Sequence, residues 1–202
     1  MNGAPMVAMA SGQGTLFQAL LDASSEPDYP VEIVGLVTDR PGCPAQERAV
    51  RAGVPVVALD PRNYDSRATW NRDLADQTAQ LAPEWLVSVG FMRVLAPAFL
   101  DRFPGKIVNS HPSLLPAFPG ARAVPDAIDY GVRMTGCTIH LVDAGVDSGP
   151  ILAQSAIPVA PDDDADSLHE RVKAVERVQL VEVLAQLATT GYTLEGRKAA
   201  LP

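Results

Sequence analysis

Met6-Val-Ala-Met-Ala-Ser-Gly-Gln-Gly-Thr-Leu-Phe-Gln-Ala-Leu-Leu-Asp-Ala23 decides the fold. Met6 to Ala10 reads as a short buried strand and Ser11 to Gly14 as a glycine turn. From Thr15 to Ala23 the apolar residues Leu16, Ala19, Leu20 and Ala23 recur at helical spacing. The same strand–turn–helix sentence repeats downstream. Val31 to Val37 is a second strand, Pro41 and Gly42 punctuate it, and a helix runs from Ala45 to Ala52 until Gly53 stops it. Val54 to Leu59 is a third strand, Asp65 or Ser66 caps a long helix to about Leu81, and Trp85 to Val89 is a fourth. These strands are continuously apolar instead of alternating, the pattern of a parallel sheet covered on both faces. Such sheets bind ligands beyond the carboxyl ends of their strands.

The second half is less regular. Lys106 to Ser110 reads as a fifth strand, leading into a proline-rich stretch from His111 to Pro119. Pro125 begins a short helix ending before Gly131, and Thr135 to Asp143 is a sixth strand. Gly145 to Pro150 is a glycine-rich turn, and Ile151 to Val159 a seventh strand. Asp162-Asp163-Asp164 is expected to be a solvated loop. Ser167-Leu-His-Glu170 has the form of a capping box opening a last helix. The tail after Gly191 is expected to be loosely attached.

Composition narrows the function. The chain has 202 residues with 47% hydrophobic and 20% charged content, which excludes intrinsic disorder and is enough for one domain with a core. No stretch of about 18 apolar residues lacks charge or proline, so no membrane span is expected. Met1 to Ala10 has no basic segment of a secretory signal, so a cytoplasmic setting is expected. A net charge of −8 argues against non-specific nucleic-acid binding, so any anionic ligand must be held by local groups. The two cysteines, Cys43 and Cys137, are expected to be reduced thiols, and no Cys/His spacing suits a metal.

Three segments carry chemistry. Ser11-Gly12-Gln13-Gly14-Thr15 joins a strand to a helix N-terminus, where free amides and the helix dipole suit a phosphate; taken alone it is equally an ordinary tight turn. Asp39 stands where a dinucleotide fold places its ribose acid, yet Phe17 replaces the third glycine of that pattern. Asn109 and His111 are two apart on an extended chain and can project to one side, an amide and an imidazole aimed at one developing oxyanion. A histidine at a strand end is as often structural. Asp143-Ala-Gly-Val-Asp147-Ser-Gly-Pro150 fails the calcium-loop pattern, but an acid there can pair with His111 and favour its charged form.

Together, Ser11-Gly-Gln-Gly-Thr15, Gly90-Phe-Met-Arg-Val-Leu95, Asn109-Ser-His-Pro-Ser-Leu-Leu-Pro116 and Asp143 to Pro150 resemble the folate-dependent glycinamide ribonucleotide formyltransferases, from about Val7 to about Gly191. The resemblance implies an α/β fold: a Rossmann-like, mostly parallel seven-stranded sheet with helices on both faces, in one domain over 1–202 with a loose tail from about 192. It implies transfer of a formyl group from 10-formyltetrahydrofolate, as co-substrate and without metal, to the amine of glycinamide ribonucleotide in purine synthesis. Asn109, His111 and Asp147 would be catalytic. Gly14, Thr15 and Leu16 would hold the substrate phosphate, and Glu176 would reach the ribose. Arg67, Met92, Arg93, Val94, Leu95 and Asn109, with Asp143, Ala144, Gly145, Val146 and Asp147, would receive the folate. A cis peptide is implied at Leu115-Pro116. The partners are small molecules, with neither nucleic acid nor membrane, and the enzyme is a monomer or homodimer. The chain departs from the family at Leu16, where asparagine is common, and at Arg122 and Val124, where two histidines are usual. The alternatives are a formyltetrahydrofolate hydrolase on the same scaffold, a nicotinamide-dependent oxidoreductase, and a catalytically silent nucleotide-binding module.

Overall fold

The computed structural model describes residues 3–202; Met1 and Asn2, which open the expected domain, lie outside the described residues. Seven strands form a mostly parallel sheet in the order β3-β2-β1-β4-β5-β6-β7. They are β1 (Ala4–Met9), β2 (Val31–Thr38), β3 (Val56–Ala58), β4 (Trp85–Ser88), β5 (Ile107–His111), β6 (Met134–Leu141) and β7 (Ile151–Pro158). The chain divides into two compact units, residues 1–108 and 109–202.

In the first unit β1 pairs in parallel with both β2 and β4, and β2 with β3. Met6 to Met9 of β1 and all of β4 are buried, as strands covered on both faces must be. Helix α1 (Thr15–Ser24) buries Phe17, Leu20 and Leu21 on one side. Phe17 fills the space that a dinucleotide site leaves open with glycine, and it is fully buried. Helix α2 is Pro44–Arg51 and α3 is Arg67–Gln80. Ser66, one of two candidate caps, is the one used: its Oγ accepts the Thr69 N–H at 3.1 Å. A 3-10 turn at Pro61–Asn63 and a short α4 (Pro97–Leu100) had no periodic signal long enough to reveal them.

In the second unit β6 and β7 are antiparallel, and α5 (Ala123–Tyr130) and α6 (Ala165–Thr190) pack with them. Three expectations change. Helix α5 starts two residues before Pro125, which fits because proline is tolerated in a first turn. Helix α6 starts before Ser167. Asp164 is the cap, accepting the Ser167 N–H at 2.8 Å, while Ser167 Oγ accepts the Asp164 N–H at 3.0 Å. Asp163 is likewise engaged, pairing with Arg171 and accepting the Ala160 N–H at 2.7 Å, so the acidic run builds the helix start instead of merely meeting solvent. In the tail, β8 (Thr193–Glu195) and β9 (Lys198–Ala200) form a hairpin, with Arg197 donating to the Ser148 carbonyl. The cis bond at Leu115-Pro116 is present.

Candidate active site

Beta-strand alternation delivers the first two functional groups. Asn109 and His111 lie on β5, two residues apart, and both face Asp147 from the loop after β6. His111 Nδ1 is 3.3 Å from Asp147 Oδ2, and Asn109 Nδ2 is 3.4 Å from Asp147 Oδ1. The backbone of Asp147 is left-handed, at φ 51°, and the Gly120 N–H donates to its Oδ2 at 2.7 Å. That short bond anchors the carboxylate. The contacts from His111 and Asn109 are longer than charge-assisted bonds of about 2.7–2.9 Å and leave room to tighten around a ligand.

His140 is a fourth member that sequence reasoning missed. Its Nε2 is 3.1 Å from Asn109 Nδ2 and 3.6 Å from Asp147 Oδ1, while Nδ1 lies 2.9 Å from the Leu141 carbonyl. A proton on Nδ1 suits that carbonyl and leaves Nε2 to accept one Asn109 amide hydrogen. The amide is thereby oriented, with its second hydrogen toward Asp147. The only hint in the sequence is a polar residue inside an apolar strand.

Charge in this cluster departs from expectation. Asp147 was expected to hold His111 protonated. Burial instead outweighs the Phe118 carbonyl and the Asp147 carboxylate and holds His111 below the ordinary imidazole range, with His140 adding to the shift. His111 Nε2 meets the Phe118 carbonyl at 2.8 Å. For Asp147, burial alone would raise the carboxyl. The neighbouring His140, the Gly120 N–H and His111 reverse this and hold it below the usual carboxylate range.

Ser148 Oγ and the Gly145 N–H both bond Asp143 Oδ1, at 2.7 and 3.0 Å, giving the loop over Asp143, Ala144, Gly145, Val146 and Asp147 a fixed shape with Val146 exposed. Glu176 is buried on α6 and accepts from Ser110 Oγ at 2.6 Å; burial pushes its carboxyl up. Val124 is buried with Cys137, Ile157, Leu168 and Val172, a packing role that accounts for an apolar residue there. Arg122 turns to Asp126 and Asp129. Cys137 is fully buried, and burial pushes its thiol up to about 12, so it is no nucleophile.

In the first unit, Gly14 caps α1 in a left-handed conformation, φ 68°, without a side-chain cap bond and with no acid in the first turn. The opening amides of α1, at Thr15 and Leu16, are therefore available to an anion. A Cβ on Gly14 would lie 2.8 Å from Ala45 Cα, so α2 also demands glycine here. Arg48, unnoticed in the sequence, braces the turn by donating to the Gln13 carbonyl and to Gln18 Oε1, both at 2.9 Å. Arg67 donates to the Val94 carbonyl at 3.0 Å, joining it to the segment Met92, Arg93, Val94 and Leu95, in which Met92 and Val94 are exposed. Asp39 is sealed: Ser11 Oγ and Arg93 both donate to it, so it is not open to a ribose.

Residues 5–184 match the formyl transferase family. The chain belongs to that family. The phosphoribosylglycinamide formyltransferase of Mycobacterium tuberculosis is 50% identical over 198 residues, 98% of this chain and 91% of its own length. That of Bacillus subtilis is 36% identical over 190 residues, 94% of this chain and 96% of its own. The solved glycinamide ribonucleotide transformylase 1 of Symbiobacterium toebii aligns with a TM-score of 0.95 at 37% identity, covering 98% of this chain and 94% of that one. Among the described residues no helix is long and apolar enough to cross a membrane, and no cluster of His, Cys, Asp and Glu could hold a metal ion. In this family member the second unit brings an amide, two imidazoles and a carboxylate together.

Proposed function

We propose that this formyltransferase moves the formyl group of 10-formyltetrahydrofolate directly to the amine of glycinamide ribonucleotide. The observation that carries the reading is the convergence of Asn109, His111 and His140 on the Asp147 carboxylate, in a member of this family. The uncharged amine attacks the formyl carbon, a carbon–nitrogen bond forms, and the carbonyl oxygen becomes negative. Asn109, oriented by His140, turns its second amide hydrogen from the long 3.4 Å Asp147 contact to that oxygen; one such donor is typically worth about a hundred- to a thousandfold in rate.

A proton must then pass from the attacking nitrogen to the departing N10 as the old carbon–nitrogen bond breaks. His111 starts neutral because burial lowers its proton affinity, so it can take that proton. Asp147 stabilises the imidazolium formed, which returns the proton to the leaving nitrogen. No covalent enzyme intermediate is required, because an amine is nucleophilic enough once held beside the carbonyl. In this reading the amides of Gly14, Thr15 and Leu16 hold the phosphate, Glu176 serves the ribose, and Met92 to Leu95, Arg67 and the Asp143–Asp147 loop hold the folate. Exposed Met92, Val94 and Val146 offer apolar surface that suits aromatic rings.

The test is to follow folate product by absorbance with and without glycinamide ribonucleotide. Product that depends on the ribonucleotide supports the transfer. Equal rates in its absence, with formate released, would make the chain a hydrolase.

A further inference from the structure

Asp39 has no part in the chemistry above, yet it is one of the most expensive residues in the first unit to bury. Its side chain has 0% exposure. A carboxylate so placed is costly unless charged or hydrogen-bonding partners surround it. Those partners come from two different loops. Ser11, first residue of the 11–14 turn, donates through Oγ to Asp39 Oδ1, and Arg93 Nε donates to Asp39 Oδ2 at 2.6 Å.

Ser11 is itself held from three directions. Its N–H donates to the Gly90 carbonyl at 3.0 Å, and its Oγ accepts the Met92 N–H at 2.8 Å while donating to Asp39. One hydroxyl thus stands between the backbone of one loop and a buried charge. The 90–95 segment is pinned on its other side by Arg67 on the Val94 carbonyl. The 11–14 turn is pinned by the Ala45 N–H on the Gly12 carbonyl at 3.1 Å and by Arg48 on Gln13. Neither loop can shift at Ser11, Met92 or Arg93 without breaking a bond to the same carboxylate or hydroxyl.

We infer that Asp39, acting through Ser11 and Arg93, is a positioning residue that sets the 11–14 phosphate turn and the 92–95 folate segment as one unit. This rests on the reading that those two segments bind the two substrates. It makes a distinctive demand: damage at Asp39 or Ser11 must weaken both substrates together. A residue of either pocket alone would weaken one.

The experiment compares Asp39→Asn, Ser11→Ala and Ser11→Thr with the unaltered protein. KM for glycinamide ribonucleotide and for formyl-folate is measured with the other saturating, and backbone hydrogen exchange is followed across 90–95. Asp39→Asn and Ser11→Ala are expected to raise both KM values about tenfold, the scale of one lost bond to a charged group. Their kcat should stay within about threefold, because Asn109, His111 and Asp147 are unaltered. Exchange at Met92 should quicken in Ser11→Ala, and Ser11→Thr, which keeps the hydroxyl, should restore it together with both KM values. Unchanged KM values in folded Ser11→Ala, or a rise for one substrate alone, overturns the inference. Should the unaltered protein transfer no formyl group to the ribonucleotide, the proposed function falls, and the exchange data alone then decide whether Asp39 and Ser11 hold the 90–95 segment.

Discussion

Replacing Asp147 by Asn separates charge from shape. Asparagine is among the few residues that tolerate the left-handed backbone found at this position, so the loop should keep its form. Its side-chain oxygen can still accept the Gly120 N–H that now bonds Oδ2 at 2.7 Å. What disappears is a negative charge 3.3 Å from His111 Nδ1. For unit charges about 4 Å apart at an effective dielectric near 20, that interaction is about 4 kcal/mol. If it stabilises the imidazolium formed during proton transfer, its loss lowers kcat about a thousandfold. Binding should suffer far less, so KM for either substrate should move only a fewfold. A second readout is independent of turnover: without the carboxylate, His111 should titrate lower still by NMR, since Asp147 is one of the groups raising it. The assay is formation of folate product at saturating substrates. A variant that turns over like the unaltered protein, or whose loss lies wholly in KM, would refute the assignment.

Two further substitutions probe the frame. Burial raises the Glu176 carboxyl, so the folded protein prefers its neutral form; that stabilisation is whole below the ordinary glutamate range and drains as pH rises through the raised value. Glu176→Gln keeps an acceptor for Ser110, so its melting temperature should gain on the unaltered protein as pH rises, and a variant that loses ground with rising pH would contradict this. Gly14→Ala places a methyl 2.8 Å from Ala45 Cα on a positive-φ backbone. Denaturant unfolding should show a loss of about 2 kcal/mol, with KM for the ribonucleotide raised; full stability would mean that the turn relaxes freely.

Much of this architecture was legible because the strands announce themselves. β1 and β4 are buried on both faces, so their apolar runs are unbroken and periodicity cannot be mistaken for a half-exposed hairpin. Asn109 and His111 share a side because residue spacing on an extended strand is fixed geometry, whereas Asp147, on a loop, enters only through the family resemblance. Helix starts were harder. Asp164 and Ser167 are both competent caps, and only the fold decides that Asp164 takes the Ser167 N–H. His140 is hard to see for a different reason: a polar residue within a strand is only a faint local mark, and its place beside Asn109 exists only because β6 sets it 3.1 Å away. The proton affinity of His111 balances burial against a carboxylate, and burial is a property of the whole unit that no local spacing reports. Asp39 is the converse case, a motif-like acid that Phe17 already argues against and whose partners, Ser11 and Arg93, commit it elsewhere.

A double-variant cycle on His111→Ala and Asp147→Asn asks most directly whether the imidazole and the carboxylate act as one device on a single carbonyl. Groups that work as a unit are strongly non-additive, so the double variant should turn over about as slowly as the slower single variant. Turnover losses that multiply would mean two residues working independently, and the assembled site described here would not be the one that transfers the formyl group.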